Sequence, residues 1–137
     1  MTTLEPAGQA VISRLTREWP DLWAIYLFGS RGRGGAGPAS DIDLAILGPG
    51  PLPPVRLWDV AQDLASLARA DADLVDLRKA STVLQAQVVS TGRRIYCSNE
   101  RECDSFETYV LSSYARLNEE RRDILRGILD RGSFRGG

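Results

Sequence analysis

Two stretches of this chain read as strands buried on both faces, and the second opens with two acids on one side. Leu22 to Phe28, LWAIYLF, is a nearly unbroken apolar run rich in aromatic and branched residues. That is the composition of a strand with no solvent-facing side. Residues 41–47, DIDLAIL, place Asp41, Asp43, Ala45 and Leu47 on one face and Ile42, Leu44 and Ile46 on the other. Any fold that buries both runs must also accommodate two carboxylates about 6.5–7 Å apart on the same patch. Between the runs, Gly29-Ser30 breaks the first strand and a loop, RGRGGAGPAS, carries four glycines and two arginines.

The rest of the chain supplies helices to cover such strands. Pro6 to Arg17 is expected to be a helix, with proline in the first turn and Ala7, Val11 and Leu15 stacked at every fourth residue, ending before Pro20. After the rigid loop GPGPLPP (Gly48 to Pro54), the stripe Leu57, Val60, Ala61, Leu64, Leu67 marks a second helix. DLVDL, Asp73 to Leu77, reads as a third strand. Ser81 is a suitable cap for a helix that buries Leu84 and Val88 and stops at Gly92, and RRIYC (Arg93 to Cys97) reads as a fourth strand. From about Cys103 to Arg131 the chain is strongly helical: Phe106, Val110, Leu117, Ile124 and Ile128 keep close to a seven-residue rhythm, with Glu119, Glu120, Arg121 and Arg122 mainly on the other side. Gly132 is expected to end it, leaving SFRGG loose. The tail helix either covers the domain's own sheet or offers a docking surface.

The expected fold class is therefore α/β (α+β): a small mixed sheet packed with helices, closed by a long C-terminal helix. At 137 residues, the span 1–137 is expected to be one domain, with its motif core in 22–97 and a helical tail over about 103–131.

Composition removes whole classes of chemistry. There is no histidine, which excludes Ser-His-Asp and Cys-His catalysis, histidine-ligated zinc and histidine bases together. Carboxylates and hard cations are the tools that remain. The net charge of −1 provides no global field to recruit nucleic acid or an anionic membrane, and no helix-turn-helix pattern is present. No apolar run approaches the ~20 residues of a membrane span, and the first residues, MTTLEPAGQ, have neither the basic nor the apolar part of a secretion signal. A cytoplasmic location follows as an expectation, and with it free thiols at Cys97 and Cys103.

A single aspartate at a strand start needs no explanation beyond turn chemistry. Two on one face would repel and raise each other's pKa, and divalent cations relieve that repulsion. Carboxylates at this spacing suit a pair of metal ions roughly 3.5–4 Å apart, able to activate an attacking oxygen and steady a leaving phosphate. Just upstream, Gly29 permits close backbone approach, Ser30 offers a hydroxyl and an amide to phosphate oxygens, and Arg31 and Arg33 add charge-assisted donors.

Gly29-Ser30, ten intervening residues and then Asp41-Ile42-Asp43 match the G-S-x10-D-x-D pattern of the DNA polymerase β-like nucleotidyltransferases. LFGSRGRG and SDIDLAIL resemble the minimal nucleotidyltransferase (MNT) branch, and the likeness runs through DLVDLRKA to GRRIYC, about Leu22 to Cys97. The resemblance implies the polymerase β-like fold, a Gly-Ser turn (Gly29, Ser30, with Arg31 beside it) holding a nucleoside triphosphate, and two Mg²⁺ ions on Asp41, Asp43 and a third carboxylate from a neighbouring strand. Asp73 stands where the family places that acid, with Asp71 and Asp76 as the alternatives; Asp76 would face the other way on a regular strand. Small MNT proteins resemble the antitoxins of HEPN–MNT pairs, in which ATP supplies AMP to a tyrosine of a HEPN ribonuclease toxin. That implies a HEPN-family protein and ATP as partners, in a homodimer or a hetero-oligomer with the toxin. A sterically acting MNT-fold antitoxin and an antibiotic nucleotidyltransferase are the alternatives. Nothing in the residues themselves selects ATP among nucleotides. The loop with its four glycines departs from the commoner family pattern.

Overall fold

The computed structural model describes residues 7–29 and 41–136. Helix α1 spans Ala7–Glu18, strand β1 Ala24–Phe28 and strand β2 Ile42–Leu47. Helix α2 (Pro54–Ala68), strand β3 (Ala72–Asp76) and a short 3-10 turn (Leu77–Lys79) follow, then helix α3 (Thr82–Thr91), strand β4 (Arg93–Cys97) and helix α4 (Glu100–Gly136). The strands form one mixed sheet in the order β3-β2-β1-β4. β1 pairs antiparallel with β2 and β4, whereas β2 and β3 run parallel. Among the described residues, no helix is long and apolar enough to cross a membrane.

The two apolar runs are the central strands, as their composition requires. Ile25, Leu27, Ile42, Leu44 and Ile46 meet Val11 and Leu15 of α1 and Val60 and Leu64 of α2 on one face. Ala24, Tyr26, Ala45 and Leu47 meet Leu77, Val88 and Cys103 on the other. Apolar side chains on both sides of β1 and β2 remove on the order of 1.5–3 kcal/mol of exposure cost for each large residue.

Most expected elements are present, with shifted ends that have local causes. β1 starts at Ala24 rather than Leu22, because the Leu22 amide closes a turn onto the Trp19 carbonyl, 3.1 Å away, while its side chain is buried. β3 ends at Asp76 rather than Leu77, since the Asp76 carboxylate caps the next turn by accepting from the Arg78 amide at 3.1 Å. α4 begins at Glu100, not Cys103: Asn99 Oδ1 accepts the Glu102 amide at 3.1 Å, a cap placed three residues ahead of an acid. It also runs through Gly132, where a stop was expected. One helical glycine costs about 1 kcal/mol relative to alanine, and elongation of an existing helix tolerates that. Pro6 lies outside the described residues.

Candidate active site

The acids gather at one end of the sheet because of how the strands are paired. β1 ends there at Phe28, which lies opposite Asp43 near the start of β2. Parallel pairing then sets Asp43 beside Asp73, with Ile42 beside Ala72 and Leu44 beside Leu74. Register partners in a parallel ladder point to the same face, so these two carboxylates share the side on which α3 and α4 pack. The Ile42 amide bonds to the Asp71 carbonyl at 2.8 Å, which locks the entry to both strands. Asp41 and Asp73 are exposed, and Asp43 is half-buried between them. Burial foremost, then the charges of Asp73 and Asp41, pushes the Asp43 carboxyl above its ordinary range.

Gly29 closes the floor of this end. Its φ is +72°, a region that L side chains rarely adopt, and a Cβ built on it would collide with Asp43 Oδ2. Only glycine lets the backbone turn here and lie directly against the carboxylate. Gly92, at the end of α3, is as tightly held: a Cβ there would stand 2.5 Å from the Val88 carbonyl oxygen and 3.2 Å from that of Leu27. The next residue, Arg93, opens β4 opposite Leu27. Its Nε and Nη2 are buried and find no hydrogen-bond acceptor among the described residues. In the sequence this cation is marked only by the Gly92-Arg93 step at a strand start.

Of the residues expected in the site, the structure brings together Gly29, Asp41, Asp43 and Asp73. Asp71 is exposed and takes part through its backbone carbonyl. Asp76 has a different role: it is 5% exposed, and its two oxygens accept the Leu52 amide at 3.0 Å and the Arg78 amide at 3.1 Å. Its carboxylate ties β3 to the loop before α2. Ser30, Arg31 and Arg33 lie outside the described residues.

The donor chemistry fits Mg²⁺: hard carboxylate oxygens that repel one another until a cation joins them. Among the described residues, no three acids or cysteines are close enough to cage an ion by themselves. Mg²⁺ needs no such cage, since it typically takes one or two carboxylates and completes its shell with substrate phosphates and water.

This geometry agrees with what the chain resembles. Residues 10–101 match the family model described as polymerase beta, nucleotidyltransferase. The chain is 40% identical over 119 residues to the protein adenylyltransferase MntA of Shewanella oneidensis, covering 87% of this chain and 85% of that protein. A crystal structure of a toxin-antitoxin with AMP-PNP contains a chain of 38% identity that superposes with a TM-score of 0.78, over 89% of this chain and 98% of the other. A tri-AMPylated Shewanella oneidensis HEPN toxin in complex with its MNT antitoxin provides another match, at 36% identity and a TM-score of 0.74, covering 90% and 96% of the two chains. The chain belongs to the polymerase β nucleotidyltransferase family.

Proposed function

We propose that this protein is an MNT-type antitoxin that transfers AMP from ATP to a tyrosine hydroxyl of a HEPN-family ribonuclease toxin, releasing pyrophosphate and neutralising the toxin. The observation that carries the reading is the side-by-side register of Asp43 and Asp73 against the Gly29 turn. It stands in a chain whose relatives of 36–40% identity include a protein adenylyltransferase and an antitoxin bound to an AMPylated HEPN toxin.

Each residue then has a task. The Gly29 turn brings backbone against Asp43, and Ser30 and Arg31, the next residues in the sequence, are the ones that would grip the triphosphate. Asp41, Asp43 and Asp73 are the residues that would hold two Mg²⁺ ions, their negative charge matched to the cations. When bound, Mg²⁺ supplies charge neutralisation on the triphosphate and a more acidic acceptor hydroxyl. Asp73, on the outer strand and exposed, is open to an incoming tyrosine, while the Gly29 turn lies on the opposite side of Asp43. That order across the sheet lets the acceptor oxygen enter from one side and pyrophosphate leave on the other, as in-line phosphoryl transfer requires. Free thiols at Cys97 and Cys103, with Sγ atoms 3.6 Å apart, suit the reducing cytoplasm in which such a pair would act.

The direct test is mass spectrometry of a purified HEPN toxin after incubation with this protein, ATP and Mg²⁺. The reading predicts toxin heavier by whole AMP units, with pyrophosphate released in equal amount. Unmodified toxin under conditions where the two proteins bind would remove the enzymatic reading.

A further inference from the structure

Helix α4 outruns the domain it belongs to. It starts at the end of the sheet away from the acids, where Cys103 Sγ lies 3.6 Å from both Cys97 Sγ and the Trp23 carbonyl. Four residues on, Glu107 accepts from the Tyr26 hydroxyl at 2.5 Å and from Arg94 at 3.0 Å, nearer the catalytic end of β1 and β4. Tyr114 then borders a depression with Gln87 and Ser90, close to the end of α3 that is wedged against β1 at Gly92. The helix therefore travels toward the acids. A five-residue strand is about 17 Å long, a distance a helix covers in about eleven residues. The remainder of its 37 residues continues past the catalytic end.

The face that α4 buries does not stop where the sheet does. Cys103, Phe106 and Val110 pack on the domain, and the same spacing continues through Leu117, Ile124 and Ile128. There the seam meets water: Ile124 is 61% exposed and Leu129 68%, and every residue from Glu119 to Asp130 except Gly127 is exposed. An apolar stripe that continues a packed seam is a surface awaiting a partner.

We propose that this overhanging seam, centred on Ile124, Leu125, Ile128 and Leu129, is where the HEPN toxin docks, so that its tyrosine is presented to Asp43 and Asp73. The proposal rests on the activity proposed above. A macromolecular acceptor must be held at the catalytic end and on the face of the acids, and among the described residues α4 lies on that face and overhangs that end. The twelve residues from Glu119 to Asp130, about 18 Å of helix 10–12 Å across, present on the order of 300 Å² on one side. Matched by a partner, the total is about 600 Å², at the small end where transient, releasable contacts fall. Release is what an enzyme acting on a protein needs. Along the flanks, Glu119 and Asp123 alternate with Arg122 and Arg126, so the charges nearly cancel and a polyanion gains nothing here.

The test uses the full chain with Ile124→Glu and Ile128→Glu together, both exposed positions where glutamate keeps helix propensity. Three quantities are read: affinity for immobilised HEPN toxin, KM for toxin in AMP transfer, and affinity for AMP-PNP. The variant should lose toxin affinity by about tenfold or more and raise KM alike, with AMP-PNP affinity unchanged. Toxin affinity equal to the parent's would overturn the proposal. So would a parent that is a dimer by light scattering and a variant that is a monomer with toxin binding intact, since the seam would then belong to a second copy. A parent that binds toxin through these residues yet transfers no AMP would remove the activity and leave the docking surface standing.

Discussion

Gly29→Ala separates the geometry of the site from the stability of the fold. The substitution forces alanine into a φ of +72°, which costs about 1–2 kcal/mol. The added methyl also meets Asp43 Oδ2, the free end of a short side chain that can swing away. Rotation of that carboxylate relieves the collision cheaply, so the stability loss should stay near the backbone value. For a chain of this size, that corresponds to a fall in Tm of roughly 3–8 °C. Catalysis should suffer far more, because a misplacement of about 1 Å in a catalytic group can cost ~100-fold. A double-mutant cycle with Asp43→Ala checks the cause: without the carboxylate the methyl has nothing to strike, and only the backbone cost should persist. The assays are thermal unfolding and AMP transfer to the toxin. Gly29→Ala with transfer within about threefold of the parent would refute the argument that this turn positions Asp43.

The two acids of β3 should behave oppositely. Asp73→Asn should abolish transfer with metal-free Tm unchanged or slightly raised by relief of the repulsion on Asp43, whereas Asp76→Asn, which weakens two backbone caps at a buried site, should cost on the order of 1.5–3 kcal/mol with activity falling only through unfolding. Equal effects in both assays would mean that the β2–β3 register is wrong. Asp43 gives a pH signature. Its folded pKa is raised above the ordinary 3.8, so folding favours the neutral form. Below that value the group is neutral in both states and carries no penalty; stability then falls as pH rises through 3.8 and up to the folded pKa. Without metal, Asp43→Asn should therefore raise Tm near pH 7 and leave it unchanged near pH 3. Added Mg²⁺ should stabilise the parent but not this variant. A metal-free Asp43→Asn protein less stable than the parent at pH 7 would contradict the electrostatic account.

How far the chain could be read in advance depended on whether the signal was local. The two central strands announced themselves by apolar composition, and the alternation in DIDLAIL put Asp41 and Asp43 on one face with no tertiary information. Strand and helix ends were less legible, because single side chains decided them. The Asp76 carboxylate ended β3 one residue early, and the Asn99 cap started α4 three residues early. Both are hydrogen bonds that periodicity does not encode, although the Asn99-to-Glu102 spacing was available as a capping pattern. The register of β2 against β3 was beyond reach, since parallel partners about thirty positions apart leave no short-range mark. The contact between Gly29 and Asp43 was hidden for the same reason: the glycine announced a turn, not what lay against it. The seven-residue rhythm of the tail was plain, but sequence alone does not say where the sheet beneath it ends.

The measurement that bears most directly on the central claim is growth rescue by a catalytically silent protein. HEPN toxin is co-expressed with the parent or with an Asp41→Asn, Asp43→Asn variant, and binding is followed alongside by co-purification. If neutralisation is chemical, the variant will co-purify with toxin yet leave growth arrested, while the parent restores growth and yields AMP-modified toxin. Full rescue by the variant, with no AMP on the toxin, would mean that this protein silences its partner by binding alone.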